Sequence, residues 1–318
     1  MVSKSLFLVL VSVLSLQGTF GQDEFVRCNF NSWICNANVN NPNGRDDFTE
    51  IGGQLPEGFT NDDITRIGTW DTLLNTTILP SIFCEKFINI DEIFISSRQI
   101  QKITSSTLRG CKKLVWLWHE SGLVTIEEDA FVNNLELDRL LLRMNQLETL
   151  RENVFRNQNE LKHLNLDQNR IYDLPGGIFR SLRNLETLNL AQNLLRELKV
   201  EWFETLGNLD ILTLNDNQIE ELPKNVFSNL KSLSWIILFR NNLKVIHSDS
   251  FGFLPNSIDA EFQKNQIYAI DPRFIEDTGL YCMNVRWNLC VNTLLEGRSQ
   301  LRTHLAQCFY NYEKTDER

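Results

Sequence analysis

The sequence predicts a curved solenoid of stacked α/β coils. A parallel β-sheet would line its concave face, and irregular or short helical segments its convex side. Three observations predict it. The spacing Leu-x-x-Leu-x-Leu-x-x-Asn-x-Leu, with occasional Ile for Leu, recurs five times from Leu137, Leu161, Leu185, Leu209 and Leu233. Its asparagines, Asn145, Asn169, Asn193, Asn217 and Asn241, stand 24 residues apart, and ten residues after each comes Phe155, Phe179, Phe203, Phe227 or Phe251. All seven cysteines lie outside this middle, as Cys28, Cys35, Cys84 and Cys111 before it and Cys282, Cys290 and Cys308 after it. A regular interior with stapled ends needs that placement.

Each element has a physical reason. Leucines at positions 1, 4 and 6 of a unit point inward from a short strand, and the residues at 3, 5 and 7 point out. One coil cannot bury such a face alone, so neighbours stack into a continuous core. The asparagine at position 9 ends the strand, where its amide can satisfy backbone groups left unpaired by the turn. The phenylalanine closes the convex side as a second stacked column.

Weaker turns extend the array. Ile90, Ile93, Ile95, Arg98 and Ile100 keep the frame with Leu108 in the phenylalanine place, and Trp116, Trp118, Ser121 and Leu123 follow with Phe131. In this register Trp116 and Trp118 face the core, and Arg98 and Ser121 stand where the asparagine would. Ala260, Phe262, Asn265 and Ile267 continue the array, and Leu280, Met283, Val285, Asn288 and Cys290 make a last turn. The total is about nine turns, and at about 4.8 Å per strand the sheet would extend about 40 Å.

The ends need covers, because a bare solenoid exposes an apolar cross-section. The sequence divides into a signal peptide (1–21), an N-terminal cap region (22–88), repeats (89–290) and a C-terminal cap and tail (291–318). Cys28 with Cys35, Cys84 with Cys111, and Cys290 with Cys308 are the preferred disulfides, with Cys282 left over; spacing alone does not fix connectivity.

Composition narrows the function. Thirty-one Lys+Arg against forty-one Asp+Glu give a formal charge of −10, which disfavours nucleic acid and anionic lipid as main partners. Lys4, the apolar run Leu6–Leu16 and Gly21 have the form of a secretory signal. That run is too short to span a membrane, and cysteine usage suits an oxidising, extracellular compartment. Asn75-Thr76-Thr77 is a glycosylation sequon. No nucleophile elbow, His-Glu-x-x-His, Cys-x-x-Cys or phosphate-loop spacing occurs, so the expectation is a binding protein rather than an enzyme, without cofactor or metal.

The repeats resemble the 24-residue typical class of extracellular leucine-rich repeats, through Leu174-Pro175…Phe179 and Leu222-Pro223…Phe227, over about residues 90–290. The implied fold is an α/β leucine-rich repeat solenoid. The flanks are similar to those of secreted insect leucine-rich repeat proteins. That similarity rests on Cys28 and Cys35, Thr60–Thr65, Ile78–Phe83, Gly110–Leu114 and Asn288-x-Cys290-x-Asn292. It implies innate immune recognition by a secreted protein, and a dimer, disulfide-linked through a leftover cysteine such as Cys282 or non-covalent. Residues 309–318 hold no heptads for a coiled coil.

The repeat leaves only the outward concave positions free for a partner. Ile211, Trp235, Ile237 and Phe239, flanked by Arg240 and Glu261, form an apolar patch with the makings of a protein hot spot. A weaker polar patch comprises His163, Asn165, Asp167, Asn189 and Asn215, suited to a sugar's hydroxyls. The leading expectation is a secreted, non-catalytic protein recognising a protein or glycan. The alternatives are a matrix or cell-surface adhesion scaffold, and an inhibitor of an extracellular enzyme.

Overall fold

The computed structural model describes residues 25–31, 34–40, 51–52, 55, 57–70, 76–254, 258–278 and 280–316. The proposed signal segment, Asn75 and the side chains of Cys28 and Cys35 lie outside the described residues.

A hairpin of β1 (Phe25–Asn31) and β2 (Ile34–Asn40) precedes the short β3 (Ile51–Gly52) and β4 (Arg66–Trp70). Next come α1 (Ile82–Lys86), β5 (Glu92–Ser96), β6 (Lys102–Ile103), β7 (Trp116–Glu120) and β8 (Thr125–Ile126). The regular turns contribute β9 (Arg139–Leu141), β10 (His163–Asn165), β11 (Thr187–Asn189), β12 (Ile211–Thr213) and β13 (Trp235–Ile237). Then follow β14 (Val245–Ile246), β15 (Ile258–Glu261), β16 (Ala269–Ile270) and α2 (Phe274–Asp277). The described chain closes with β17 (Leu280–Asn284), β18 (Leu294–Glu296), α3 (Arg298–His304) and α4 (Ala306–Asp316).

One sheet takes fourteen of these strands, in the order β18-β17-β15-β13-β12-β11-β10-β9-β7-β5-β4-β2-β1-β3. From β2 and β4 through to β17 its neighbours are parallel; β18 pairs antiparallel at one end, and at the other β1 pairs antiparallel with β2 and carries β3 parallel to itself. The two remaining strand pairs, β6 with β8 and β14 with β16, lie outside this sheet.

The 24-residue period sets the register. Leu140, Leu164, Leu188, Leu212, Ile236 and Ala260 pair in succession across the sheet, all of them buried. Each fully buried leucine contributes roughly 1.5–3 kcal/mol relative to exposure. Phe131, Phe155 and Phe179 stack with centroids 6.3 Å apart, and Phe203, Phe227 and Phe251 continue at 5.6 and 5.1 Å.

The asparagine ladder works as a relay. Asn193 Nδ2 donates to the carbonyls of Leu166 in the turn before and Leu190 in its own, while its Oδ1 accepts the Ile171 N–H. Asn169, Asn217, Asn241, Asn265 and Asn288 repeat the arrangement. The residue before each asparagine turns left-handed: Met144, Gln168, Gln192, Asp216, Arg240, Lys264 and Trp287 have φ between 53° and 58°. Non-glycine residues rarely adopt that conformation, and here the ladder's hydrogen bonds hold it in place.

The frame differs from the sequence-based expectation at residues 114–123. Leu117 and His119 enter the core, and Trp116 and Trp118 point out onto the concave face. Leu114 and Leu117 follow Ile90 and Ile93 by 24 residues, so the missing residue of this 23-residue turn lies after His119. Arg98 and Ser121 do not stand in for the asparagine. Arg98 is exposed, and Ser97 and Gly122 are the buried residues at those bends. A Cβ on Gly122 would collide with the Ser97 and Ile100 carbonyls.

Cys84 pairs with Cys111 and Cys290 with Cys308, with Cα atoms 4.7 and 5.1 Å apart, which leaves Cys282 free. The C-terminal cover folds back: Tyr312 of α4 meets His247 Nδ1 at 3.1 Å, and Asn311 Nδ2 donates to the Tyr268 carbonyl at 2.6 Å. Among the described residues no helix is long and apolar enough to cross a membrane.

Candidate binding site on the concave face

Strand alternation builds the site. Leu209, Leu212 and Leu214, and likewise Leu233, Ile236 and Leu238, are held inward by the core. Ile211, Thr213, Trp235 and Ile237 between them are thereby forced outward. Ile211 pairs with Trp235 and Thr213 with Ile237. Trp235 keeps 44% of its surface exposed, while Ile211, Ile237 and Phe239 are half-buried. The guanidinium of Arg240 lies 5.9 Å from the centre of the Phe239 ring and reaches Asp216 at 3.2 Å. The sequence-based patch is thus one contiguous surface.

Its C-terminal side is acidic. Register continues the Ile211–Trp235 row through Asp259 and Cys282 to Glu296, and the Thr213–Ile237 row through Glu261 and Asn284 to Leu294. Asn284 Nδ2 donates to Glu261 Oε2 at 3.0 Å. Burial first, and then the charges of Asp259, Glu296 and Glu261, push the Cys282 thiol above its ordinary range. A protonated thiol is a poor nucleophile.

The polar patch is less open than alternation implied. His163, Asn165 and Asn189 are half-buried, but Asp167 and Asn215 are buried. The strand ends beside them and the chain turns inward toward the ladder. Burial is the main cause that raises the Asp167 carboxyl, and Arg143 at 4.0 Å opposes it. Asn215 spends its amide on Asp216 at 2.6 Å, and Asn165 Oδ1 accepts the Asp167 N–H at 2.8 Å. Much of this patch satisfies itself.

A second aromatic cluster was missed in the sequence. Phe94 lies edge-on to Trp116 and Trp118, with ring centroids 5.2 and 5.9 Å apart, and Leu141 follows Trp118 in the same row. Both indole N–H groups are buried without an acceptor. The 24-residue step from Ile90 and Ile93 to Leu114 and Leu117 was the signal that could have found them. On the core side His119 replaces the usual leucine. Burial lowers its pKa to about 4, and weaker contacts with Asn145 and the Ile100 backbone only partly oppose that.

Away from the sheet, the segments after the ladder asparagines enclose an open cavity of about 460 Å³. Arg196, Glu197, Glu220, Glu221, Lys244 and Tyr268 are among its lining residues. Lys244 and Glu220 pair at 2.9 Å, so much of its charge is already engaged.

The leucine-rich repeat family matches residues 117–171, 159–219 and 207–257. No curated protein sequence matches the chain. Among solved structures, a chain of the Drosophila Toll–Spatzle complex is similar at TM-score 0.56 and 20% identity, over 72% of this chain and 34% of that one. A chain of the TLR13–ssRNA13 complex is similar at 0.59 and 17% identity, over 74% and 35%. The APL1 leucine-rich repeat domain is similar at 0.51 and 20% identity, over 70% and 62%. This chain spans about a third of the first two and under two thirds of the third. At these identities the likeness is one of fold. The 24-residue period, the asparagine ladder, the parallel sheet and the family match together give this chain the leucine-rich repeat fold.

Proposed function

We propose that the chain is a non-catalytic, extracellular recognition protein that binds a protein partner on its concave face, centred on Ile211, Trp235, Ile237 and Phe239. One observation carries the reading: a large aromatic side chain stands open in mid-sheet, with Ile211 beside it across the sheet and Ile237 next outward along its own strand. Exposed tryptophan ringed by partly buried apolar side chains has the composition of an interface hot spot. The Cys84–Cys111 and Cys290–Cys308 disulfides and the Leu6–Leu16 stretch support secretion. The fold likeness to a structure of the Toll–Spatzle complex, a hub of development and innate immunity, supports a place in innate immune recognition.

The test is affinity capture on the full chain from extracellular fluid, then calorimetric titration of the identified partner. Trp235→Ala with Phe239→Ala is expected to weaken binding by about thirtyfold, a typical hot-spot loss. Unchanged affinity in the folded variant overturns the site.

A further inference from the structure

We propose that the concave patch recognises a short protein segment in which an apolar anchor stands beside lysine or arginine. The inference rests on the binding reading above and adds the chemistry of what is bound.

Charge is unevenly distributed around Trp235. Along its row the next outward positions are Asp259, Cys282 and Glu296, and beside them, next to Ile237, stands Glu261. Among the described residues none of these three carboxylates forms a salt bridge. Asp259 and Glu296 are exposed. Glu261 accepts only the neutral amide of Asn284. The acids therefore keep their charge available for a partner.

Among the described side chains on this face, the basic ones stand elsewhere. Arg240, Lys264 and Arg286 all lie beyond the far ends of the strands. Arg240 is engaged by Asp216, and Lys264 sits 5.0 Å from the centre of the Trp287 ring. The strand-start side of the patch is thus acidic and apolar, and the strand-end side is basic. A cationic partner is steered to the first and turned from the second.

Distance limits the segment. Strands lie about 4.8 Å apart, so Asp259 is about 5 Å and Glu296 about 14 Å across the face from Trp235. At about 3.3 Å per residue, four to five residues of extended chain cover that span. An apolar side chain placed on Ile211, Trp235 and Ile237 would set its neighbouring cations against the carboxylates. Partial burial of Glu261 lowers the effective dielectric at that carboxylate and strengthens the attraction. A segment with acidic neighbours would be repelled.

The probe is a displayed library of random dodecamer peptides, selected on the full chain. Wild-type selections are expected to enrich an aromatic or aliphatic residue within four positions of Lys or Arg. The best synthetic peptide should bind at least tenfold more weakly to Asp259→Asn with Glu296→Gln, and to Trp235→Ala. Its affinity for the wild type should fall severalfold between 50 and 300 mM salt, as surface ion pairs are screened. Peptides that need Trp235 yet ignore the Asp259 and Glu296 substitutions overturn this proposal and leave the concave site standing. Peptides indifferent to Trp235 overturn the site itself. Failure to enrich any peptide overturns the claim that a short segment suffices.

Discussion

The turns between Leu137 and Ile267 and those between Ile90 and Leu123 solve one problem in different ways. Both must bend the chain inward after each strand without leaving buried backbone groups unpaired. The regular turns use an asparagine whose amide bridges two coils. At the earlier bends Ser97 merely accepts the Gln99 N–H, and Gly122 contributes no side chain, so Asn145 reaches back to the Gly122 and Leu123 N–H groups and the His119 carbonyl. Regularity in this solenoid is therefore a property of the ladder, and where the ladder lapses, backbone room and local substitutions take over.

The comparison can be broken at its strongest point first. Asn193→Ala removes the partner of the Ile171 N–H and one of the two amide donors at each of the Leu166 and Leu190 carbonyls, which keep Asn169 and Asn217. With about 1–3 kcal/mol for the buried N–H left unsatisfied and about 0.5–1.5 kcal/mol for each of the two lost carbonyl bonds, the expected loss is about 2–4 kcal/mol by chemical denaturation. Ser97→Ala, which frees one backbone N–H, should cost about 1 kcal/mol on the same scale. Equal losses would mean the ladder is not what distinguishes the two regions.

His119 sharpens the contrast through pH. Its folded pKa is about 4 against an ordinary 6.5, so between those values the unfolded chain binds more protons. The neutral core histidine leaves stability intact above about pH 6.5, and stability falls as pH drops toward 4, by about 3 kcal/mol in all. His119→Leu restores the leucine of the regular turns. Unfolding free energies of wild type and variant from pH 7 to 4 should converge at the neutral end and diverge at the acid end. Parallel curves would contradict the placement of His119 in the core.

A smaller effect separates two glycines. A methyl at Gly122 meets backbone carbonyls that cannot move aside, whereas at Gly176 the nearest atom is the Glu201 side chain at 3.5 Å. Gly122→Ala should lower stability by about 1–3 kcal/mol, as overpacking does, and Gly176→Ala should stay within about 0.5 kcal/mol. Thermal melts of the two variants decide it.

How much could be read in the sequence follows the same division. The leucine and phenylalanine columns and the ladder were legible because fixed spacing left one register, whereas the Cys84–Cys111 and Cys290–Cys308 pairs were preferences that spacing did not fix and that the fold brings together. Ile211, Trp235 and Ile237 were legible as outward residues because of that register. Val115, Trp116, Leu117 and Trp118 were not, because four successive apolar residues fit either face of a strand. The deciding fact was where the turn lost its residue, which the 24-residue step from Ile90 and Ile93 to Leu114 and Leu117 puts after the strand and the path around Gly122 makes plain. The burial of Asp167 and Asn215 was hidden too, since alternation says nothing of a chain bending inward at the strand's end. The Asp259–Cys282–Glu296 row needed the register across β15, β17 and β18, where a shift between Ile258 and Asp259 offsets the pairing.

The claim that the core face holds the fold while the concave face binds is tested most directly on one variant measured in two ways. Trp235→Ala with Phe239→Ala should cost about 1 kcal/mol of unfolding free energy, because both side chains are only partly buried, and weaken partner affinity by about thirtyfold. A loss of stability as large as the loss of affinity, or unchanged affinity in the folded variant, would contradict it.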